Sequence, residues 1–374
     1  MALTTVRPEG MGFNTGRRNM VINGAMQVAQ RGTDFNDVAN GTYTIDRFKL
    51  GKNNTDNAVI NIDQVTTSPD GFSNSLKISV GTAESALAAD ESLLLQHLIE
   101  AQNLQHLQNG SSGAQSVTLS FWVRSNKTGT YTAAIRKPDN TDRNQSKEYT
   151  ISAADTWEHK SLTFSGDTSG GGIANDNGAG FFCDWWLAGG SNFTGGTMDT
   201  WANTATQRLS TNQVNLMDGT NEWYITGVQL EVGENASDFE HRSYGEEYLN
   251  CIRYAYVPGK YGAGGTGSGF LSEIVFPVQM RATPSCTNVF SAGYDNTNAF
   301  GNSPEANEFS ISNILSGNGV SWSSAPTSIA QTEQTVDRSF VYPNSGSTPN
   351  ESTDQNIYVV KFGTGAYIIF DAEF

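Results

Sequence analysis

The chain has 374 residues, 38 of them acidic and 22 basic, for a formal charge of −16. That balance excludes stable duty on nucleic acid, because Lys and Arg neutralising phosphates supply most of such affinity. Hydrophobic residues are only 37%, and 39 Gly stand against 10 Pro, the profile of an all-β protein with many turns, long enough for two domains or one large one.

Met1–Pro8 lacks the apolar run of a signal peptide, and no later segment approaches a membrane span. Synthesis in a cytoplasm is expected. Arg18–Gly32 pairs a short apolar run with turn residues, as a strand entering a sheet does. Tyr224–Gly233, continued by Phe239–Tyr244, has the same character, and the two stretches read as the two ends of one domain. Ala83–Leu107 is ambiguous. It reads either as one long helix of good helix formers, or as a strand over Ser92–Glu100 with short helical turns at Glu84–Asp90 and Asn103–Leu107.

Val117, Leu119, Phe121 and Val123 alternate with Thr118, Ser120, Trp122 and Arg124. This is the clearest strand, with one face in a core. Tyr131, Ala133 and Ile135 repeat the pattern, Leu162 and Phe164 follow, and Val228, Leu230 and Val232 close the series. At Gly227 the apolar set changes from odd to even positions, which predicts a bulge. From Ser165 to Thr220 the chain is rich in Gly, Asn, Asp, Ser and Thr, broken by Phe181, Phe182, Trp185, Trp186 and Trp201. Such polar loops anchored by aromatics are frequently functional.

A helix is expected near Tyr244–Tyr256, with Tyr248, Leu249, Ile252 and Tyr256 on one face, Ser243 and Glu246 as a capping box, and an end at Pro258-Gly259. Tyr261–Gly269 is too glycine-rich for an element and reads as a flexible loop. A second β unit follows, with long loops over Asp295–Gln355 and a terminal hairpin in which Gly363-Thr364-Gly365 joins Ile357–Phe362 to Ala366–Phe374. Cys183, Cys251 and Cys286 are an odd number without Cys-x-x-Cys spacing, so they encode neither a disulfide framework nor a zinc site and read as buried small hydrophobes.

Arg18-Asn19, Ile22-Asn23-Gly24, Tyr43–Phe48, Ser120–Ser125, Asn215-Leu216, Ile225–Gly233, Phe239–Glu247, Cys251–Tyr254, Pro277–Pro284 and Asp371-Ala372-Glu373 occur in an order that resembles virion proteins of tailed bacteriophages, especially those of marine and cyanobacterial hosts. The resemblance implies an all-β architecture: a jelly-roll β-sandwich akin to carbohydrate-binding modules, a short linking helix, and a second, smaller β-sandwich. The corresponding domains are 1–17 for virion docking, 18–240 for the jelly roll, 241–260 for the helix and 261–374 for the C-terminal sandwich. It favours the strand reading of Ser92–Glu100. It also implies a place in the virion tail, assembly as a homotrimer with other tail proteins, and recognition of a host surface glycan, with no nucleic acid and no membrane insertion. Only about seventeen residues precede the first expected strand, so the long virion anchor of many relatives is not expected here.

Indole faces flanked by amides suit sugar rings, since pyranose C–H faces stack on them while amides hold hydroxyls. The candidate carbohydrate-binding residues are Trp185, Trp186 and Trp201, with Asn192, Asn203 and Gln207 as hydroxyl partners; the competing reading makes Trp185 and Trp186 strand residues, at least one facing the core. Four histidines, His97, His106, His159 and His241, form no His-x-x-x-His pair, and no Gly-x-Ser-x-Gly turn occurs. His241 is expected in an interdomain polar network. Paired carboxylates drawn from Asp184, Asp199 and Glu222 would be the route to glycoside cleavage, but no enzymatic activity, catalytic residue or cofactor is expected, apart from room for a structural divalent cation such as calcium. The leading expectation is a non-catalytic tail fibre or tail-tip receptor-binding protein; the alternative is a purely structural fibre connector, collar or head-decorating protein.

Overall fold

The computed structural model describes residues 18–55, 57–140, 143–204, 207–258, 261–266, 269–289, 309–313, 329–332, 338–343, 356–362 and 367–374. The expected docking segment 1–17 and most of the expected 295–355 loops lie outside the described residues. The chain divides into two compact units, the first ending at Glu247 and the second running from Tyr248 to Glu373.

Among the described residues, twelve strands build the first unit: β1 (Asp34–Phe35), β2 (Phe48–Asn53), β3 (Val59–Val65), β4 (Ser75–Thr82), β5 (Ser92–Glu100), β6 (Val117–Ser125), β7 (Gly129–Lys137), β8 (Arg143–Ile151), β9 (Glu158–Phe164), β10 (Ala179–Gly189), β11 (Ala202–Asn203) and β12 (Glu222–Val232). They pair antiparallel into two sheets, ordered β1-β3-β4-β12-β6-β9 and β11-β8-β7-β10-β5-β2. The inward residues of both sheets form one apolar core. Phe121 of β6 meets Tyr149 of β8 at 5.2 Å and Trp185 of β10 at 5.9 Å, both edge-on, so aromatic contacts bridge the layers.

Period-two alternation holds where expected. Val117, Leu119, Phe121 and Val123 are at most 3% exposed. Thr118 and Ser120, on the opposite face, are also buried, and Thr118 Oγ1 donates to the Gly233 carbonyl at 2.8 Å. The predicted bulge is present: the β12–β6 register shifts between Thr226 and Gln229, and Gly227 has φ +62°. A Cβ there would lie 2.7 Å from Phe72 Cζ and 3.0 Å from Trp122 Cδ1. Gly227→Ala is therefore expected to cost about 1–2 kcal/mol, from left-handed strain plus displacement of the Phe72 ring. A shift of the urea midpoint measures it, and an unchanged midpoint would contradict the bulge geometry.

The two motif-bearing stretches do meet as the ends of one domain. Met20 N donates to Leu230 O at 2.9 Å and Val228 N to Gly24 O at 2.9 Å. The Asn19 side chain donates to Val228 O at 3.0 Å and accepts from Val21 N and Leu230 N. Asn23, at φ +62°, donates to Val28 O and Asp46 O and accepts from Val28 N; asparagine tolerates that conformation because its short amide bonds locally. Glu240 accepts from the Arg18 and Asn19 amides, and Arg242 donates to the Val21 carbonyl and pairs with Glu240 at 2.9 Å. Arg18–Gly32 is nevertheless irregular rather than a strand, because side-chain amides and carboxylates satisfy its backbone in place of a ladder.

Several expectations are corrected. Ser92–Glu100 is a strand and Ala101–Leu107 a 3₁₀ turn, but Glu84–Asp90 forms no helix. The polar run Ser165–Thr220 contains the eleven-residue β10, so Phe181–Trp186 are strand residues rather than loop anchors. His241 is exposed and packs its ring on Phe72 at 5.3 Å and Phe239 at 4.9 Å; its neighbours Glu240 and Arg242 carry a polar network instead, with the partners Arg18, Asn19, Val21 and Glu247 all within the first unit.

The helix α1 (Tyr244–Ile252) begins with the expected capping box, Ser243 and Glu246 bonding reciprocally at 2.7–3.4 Å. It ends at Ile252, earlier than Pro258, and Leu249 is 48% exposed. Glu247, Cys251 and Ile252 form the buried side instead, an i, i+4, i+5 set. The second unit continues with β13 (Ala255–Tyr256), β14 (Tyr261–Thr266), β15 (Gly269–Val275), β16 (Ser285–Val289), β17 (Phe309–Asn313), β18 (Ile329–Thr332), β19 (Arg338–Pro343), β20 (Asn356–Phe362) and β21 (Tyr367–Asp371). Its sheets are ordered β13-β21-β16 and β17-β20-β14-β15-β19-β18. The glycine-rich stretch is thus a strand, β14, paired on both sides by β15 and β20. The expected terminal hairpin does not form, since β20 pairs with β14 and β17 while β21 pairs with β13 and β16. The Met280-Arg281 motif is a clasp: Arg281 donates to Ala372 O at 2.7 Å and Glu373 O at 2.6 Å. Cys183 and Cys251 are buried and Cys286 partly so, none of them in a disulfide.

Candidate functional site

Because side chains alternate along a strand, Phe181, Cys183 and Trp185 of β10 face the core while Phe182, Asp184 and Trp186 face outward. Register aligns Asp184 with Gln96 of β5 and Ala134 of β7, and Trp186 with Leu94 and Thr132. The outward residues of β2, β5, β10 and β7 form the floor of a groove of about 340 Å³. Lys49, Gly51 and Asn53 of β2, with Asn40 and Gly41, bound one side; Phe193 and Arg208 bound the other.

A polar ladder fixes the floor. Asp184, 1% exposed, accepts from Gln96 Nε2 at 2.8 Å and pairs with Arg136 Nε at 3.3 Å. The Arg136 guanidinium lies 3.8 Å from the Phe182 ring centroid, so it is held by an ion pair and by stacking at once. The far wall is a separate piece of chain: Leu209 N donates to Phe193 O at 2.8 Å, Gly196 N to Leu209 O at 3.0 Å, and Gln213 Nε2 to Trp186 O at 3.1 Å. Beneath it Leu94, Trp186 and Leu209 form a small apolar cluster against which Phe193 packs, its ring 5.7 Å from Trp186.

The six residues singled out from sequence separate into three places. Trp185 is fully buried between the sheets, packed on Phe48 and Phe121, so it cannot stack on a ligand. Trp186 lines the groove but is 3% exposed, so it supports Phe193 rather than offering its own face. Asn192 and Gln207 are exposed and joined by Gln207 N donating to Asn192 O at 2.9 Å, which places both beside the wall residues Phe193 and Arg208.

Trp201 and Asn203 belong elsewhere, to the loop that carries the two-residue edge strand β11 alongside β8. Trp201 Nε1 donates to Ser165 O at 2.7 Å, and the Lys137 ammonium lies 5.3 Å from the indole. Asn203 accepts from Arg143 Nη1 at 3.1 Å. This loop is anchored by Asp167, 1% exposed, which pairs with Lys137 at 2.5 Å and takes two hydrogen bonds from Arg143 at 2.6 and 2.9 Å. Burial would raise the Asp167 carboxyl, but the bonds from Arg143 and Lys137 outweigh it and hold it at about 2.

The three carboxylates considered for glycoside cleavage are dispersed. Asp184 is in the groove floor, Asp199 pairs with Lys147, and Glu222 on the other sheet pairs with Lys77 at 2.6 Å. Partial burial would raise Glu222, yet its bonds from Lys77 and Tyr224 keep it below the usual carboxylate range, opposite to the shift a proton-donating carboxyl needs. Among the described residues no group of three or more His, Cys, Asp and Glu could hold a metal ion, and no helix is long and apolar enough to cross a membrane. Sequence reasoning missed Phe193, Arg136, Arg208, Gln96 and Lys49 as groove residues. Only the even-numbered set of β10 hinted at them.

No protein-family model matches the chain, and no curated protein does. Among solved structures it is similar to the enzymatically active domain of tailspike protein 4 of bacteriophage CBA120, at 16% identity and a TM-score of 0.29 over 53% of this chain and 22% of that one. It is similar to a xylan-binding domain from Paenibacillus barcinonensis, at 17% identity and a TM-score of 0.29 over 49% of this chain and 91% of that one. It is also similar to a family 11 carbohydrate-binding module from Clostridium thermocellum in complex with a β-1,3-1,4-mixed-linked tetrasaccharide, at 10% identity and a TM-score of 0.28 over 55% of this chain and 98% of that one.

Proposed function

We propose that this chain is a non-catalytic glycan-binding protein of a phage tail, a tail fibre or tail-tip component that holds polysaccharide of the host surface. The observation that carries the glycan reading is the outer-face groove, where a half-buried ring, Phe193, stands beside a floor of fixed amide, carboxylate and guanidinium groups. A ring against sugar C–H faces and rigid polar groups against hydroxyls is the combination such ligands need. The place in a virion, trimeric assembly and neighbouring tail proteins rest on the ordered motifs. Several copies acting together would raise weak single-site affinity by multivalency.

An array of bacterial surface polysaccharides probed with the soluble full chain tests the reading. Binding is expected, and Phe193→Ala should weaken it by about tenfold or more while the fold persists, since that ring is only partly covered. Silence of the folded wild-type chain across the array, or equal binding by the variant, overturns it. Silence would favour a purely structural virion component.

A further inference from the structure

The sheet that does not carry the groove has a row of rings of its own. Phe121 and Val123 of β6 face the core, so Trp122 between them faces outward, and its register partner on β9 is His159, with ring centroids 5.2 Å apart. Phe72 comes next: a Cβ on Gly227 of β12 would lie 2.7 Å from Phe72 Cζ and 3.0 Å from Trp122 Cδ1, so the bare glycine lets both rings close over the bulge. Phe239 at 5.1 Å and His241 at 5.3 Å from Phe72 extend the row. None of these rings is fully covered, since Phe72, Trp122 and Phe239 are half-buried and His159 and His241 exposed.

The row is not purely apolar. Among the described residues the Trp122 indole N–H, the two imidazoles and the hydroxyl of Ser161, the next outward residue of β9, make no hydrogen bond. Burial, with the adjacent Lys160, holds His159 below the usual histidine range, so at neutral pH its ring offers one donor and one acceptor. Charges beside the row are already paired, Arg124 with Asp155 at 2.9 Å, Lys160 with Glu158 at 2.6 Å and Arg242 with Glu240 at 2.9 Å. A second copy of the chain seated here would bury those unpartnered groups and bring a further charge of −16 against this one. Open ring faces interspersed with unpartnered donors and acceptors match a ligand that combines C–H faces with hydroxyls and carries no charge. We propose that this row is a second and weaker glycan contact, independent of the groove, in which a neutral pyranose rests on Trp122 while Trp122 Nε1, His159 and Ser161 meet its hydroxyls. With contacts on both sheets, one chain could hold two segments of polysaccharide at once.

The tryptophan indole NMR signals of the isotope-labelled full chain decide it, because Trp122 reports the row and Trp186 the groove. Each is assigned by its loss in Trp122→Phe or Trp186→Phe; should either variant fold poorly, the ring contacts of Trp122 with His159 and of Trp186 with Phe193 identify the signals in the wild type. Titration with the methyl glycosides of glucose, galactose, mannose and rhamnose to tens of millimolar should move the Trp122 signal saturably for at least one of them, and by the same amount at high salt, because no charge is screened. A Trp122 signal unmoved by every sugar overturns the proposal, whatever Trp186 does. A signal that moves when the chain is diluted without sugar also overturns it and assigns the row to a second copy. Movement of Trp122 with Trp186 silent upholds this contact and tells against the groove alone.

Discussion

Replacing Asp167 by alanine is expected to remove about 3–5 kcal/mol of stability from the first unit, because it strands two cations in a site that water barely reaches. Lys137 is fully buried and Asp167 1% exposed, and Arg143 completes the triad with a two-pronged contact. The same carboxylate accepts from Gly170 N at 3.1 Å, and the Asp167 carbonyl accepts from Gly110 N at 2.7 Å. The loop carrying Trp201 and Asn203 should therefore loosen with it. A carboxyl held at about 2 against an ordinary 3.8 gives a stability contribution that is complete above the ordinary value and lost as pH falls toward 2. That contribution is worth about 2 kcal/mol. Urea midpoints of the wild type should drop across that acid window, and those of Asp167→Asn should be nearly flat there. Burial already pushes Lys137 below the usual lysine range against the pull of Asp167. In Asp167→Ala it should fall further, so that variant should regain part of its stability as pH rises toward the lysine range. A variant within about 1 kcal/mol of wild type at neutral pH would contradict the burial of the triad.

What could be read from the sequence was set by whether one face of each element meets water. The strand β6 was legible because Trp122 and Arg124 break its apolar set, and the bulge at Gly227 because the phase of that set changes. By contrast, every residue of β5 is buried: outward Leu94 lies in the apolar cluster under the groove wall, and Gln96 is held against Asp184. Its text was left equally fit for a helix. In β10 Phe181 and Phe182 point opposite ways with the same hydrophobicity, so period two vanished exactly where the groove floor is made. The strand β14 has little side chain to pattern, and it is held by backbone pairing on two sides. The groove itself combines residues from four strands and three loops, and only the tertiary fold brings Lys49, Arg136 and Arg208 together. Indole chemistry singles out the tryptophans, but side-chain direction at Trp185 and packing at Trp186 bury both rings.

The second large effect concerns Gly24, at the centre of the motif that begins the domain. A Cβ at this position would lie 2.1 Å from the Val228 carbonyl oxygen and 3.1 Å from its carbon. That carbonyl is not free to turn away, because it accepts from Asn19 Nδ2 at 3.0 Å, and Val228 N donates to Gly24 O at 2.9 Å. Gly24→Ala must therefore push the two segments apart by about an ångström, straining or breaking both bonds in a dry interior. The expected loss is about 3–4 kcal/mol, with amide exchange of Val228 and Leu230 accelerated well before global unfolding. A loss under about 1 kcal/mol would mean that Arg18–Gly32 does not pack on β12 in this way. The groove lies on the other sheet, so the fraction of Gly24→Ala that remains folded should bind polysaccharide at the groove with unchanged affinity. The Gly24 segment thus closes the sandwich on β12, on the sheet that does not carry the groove.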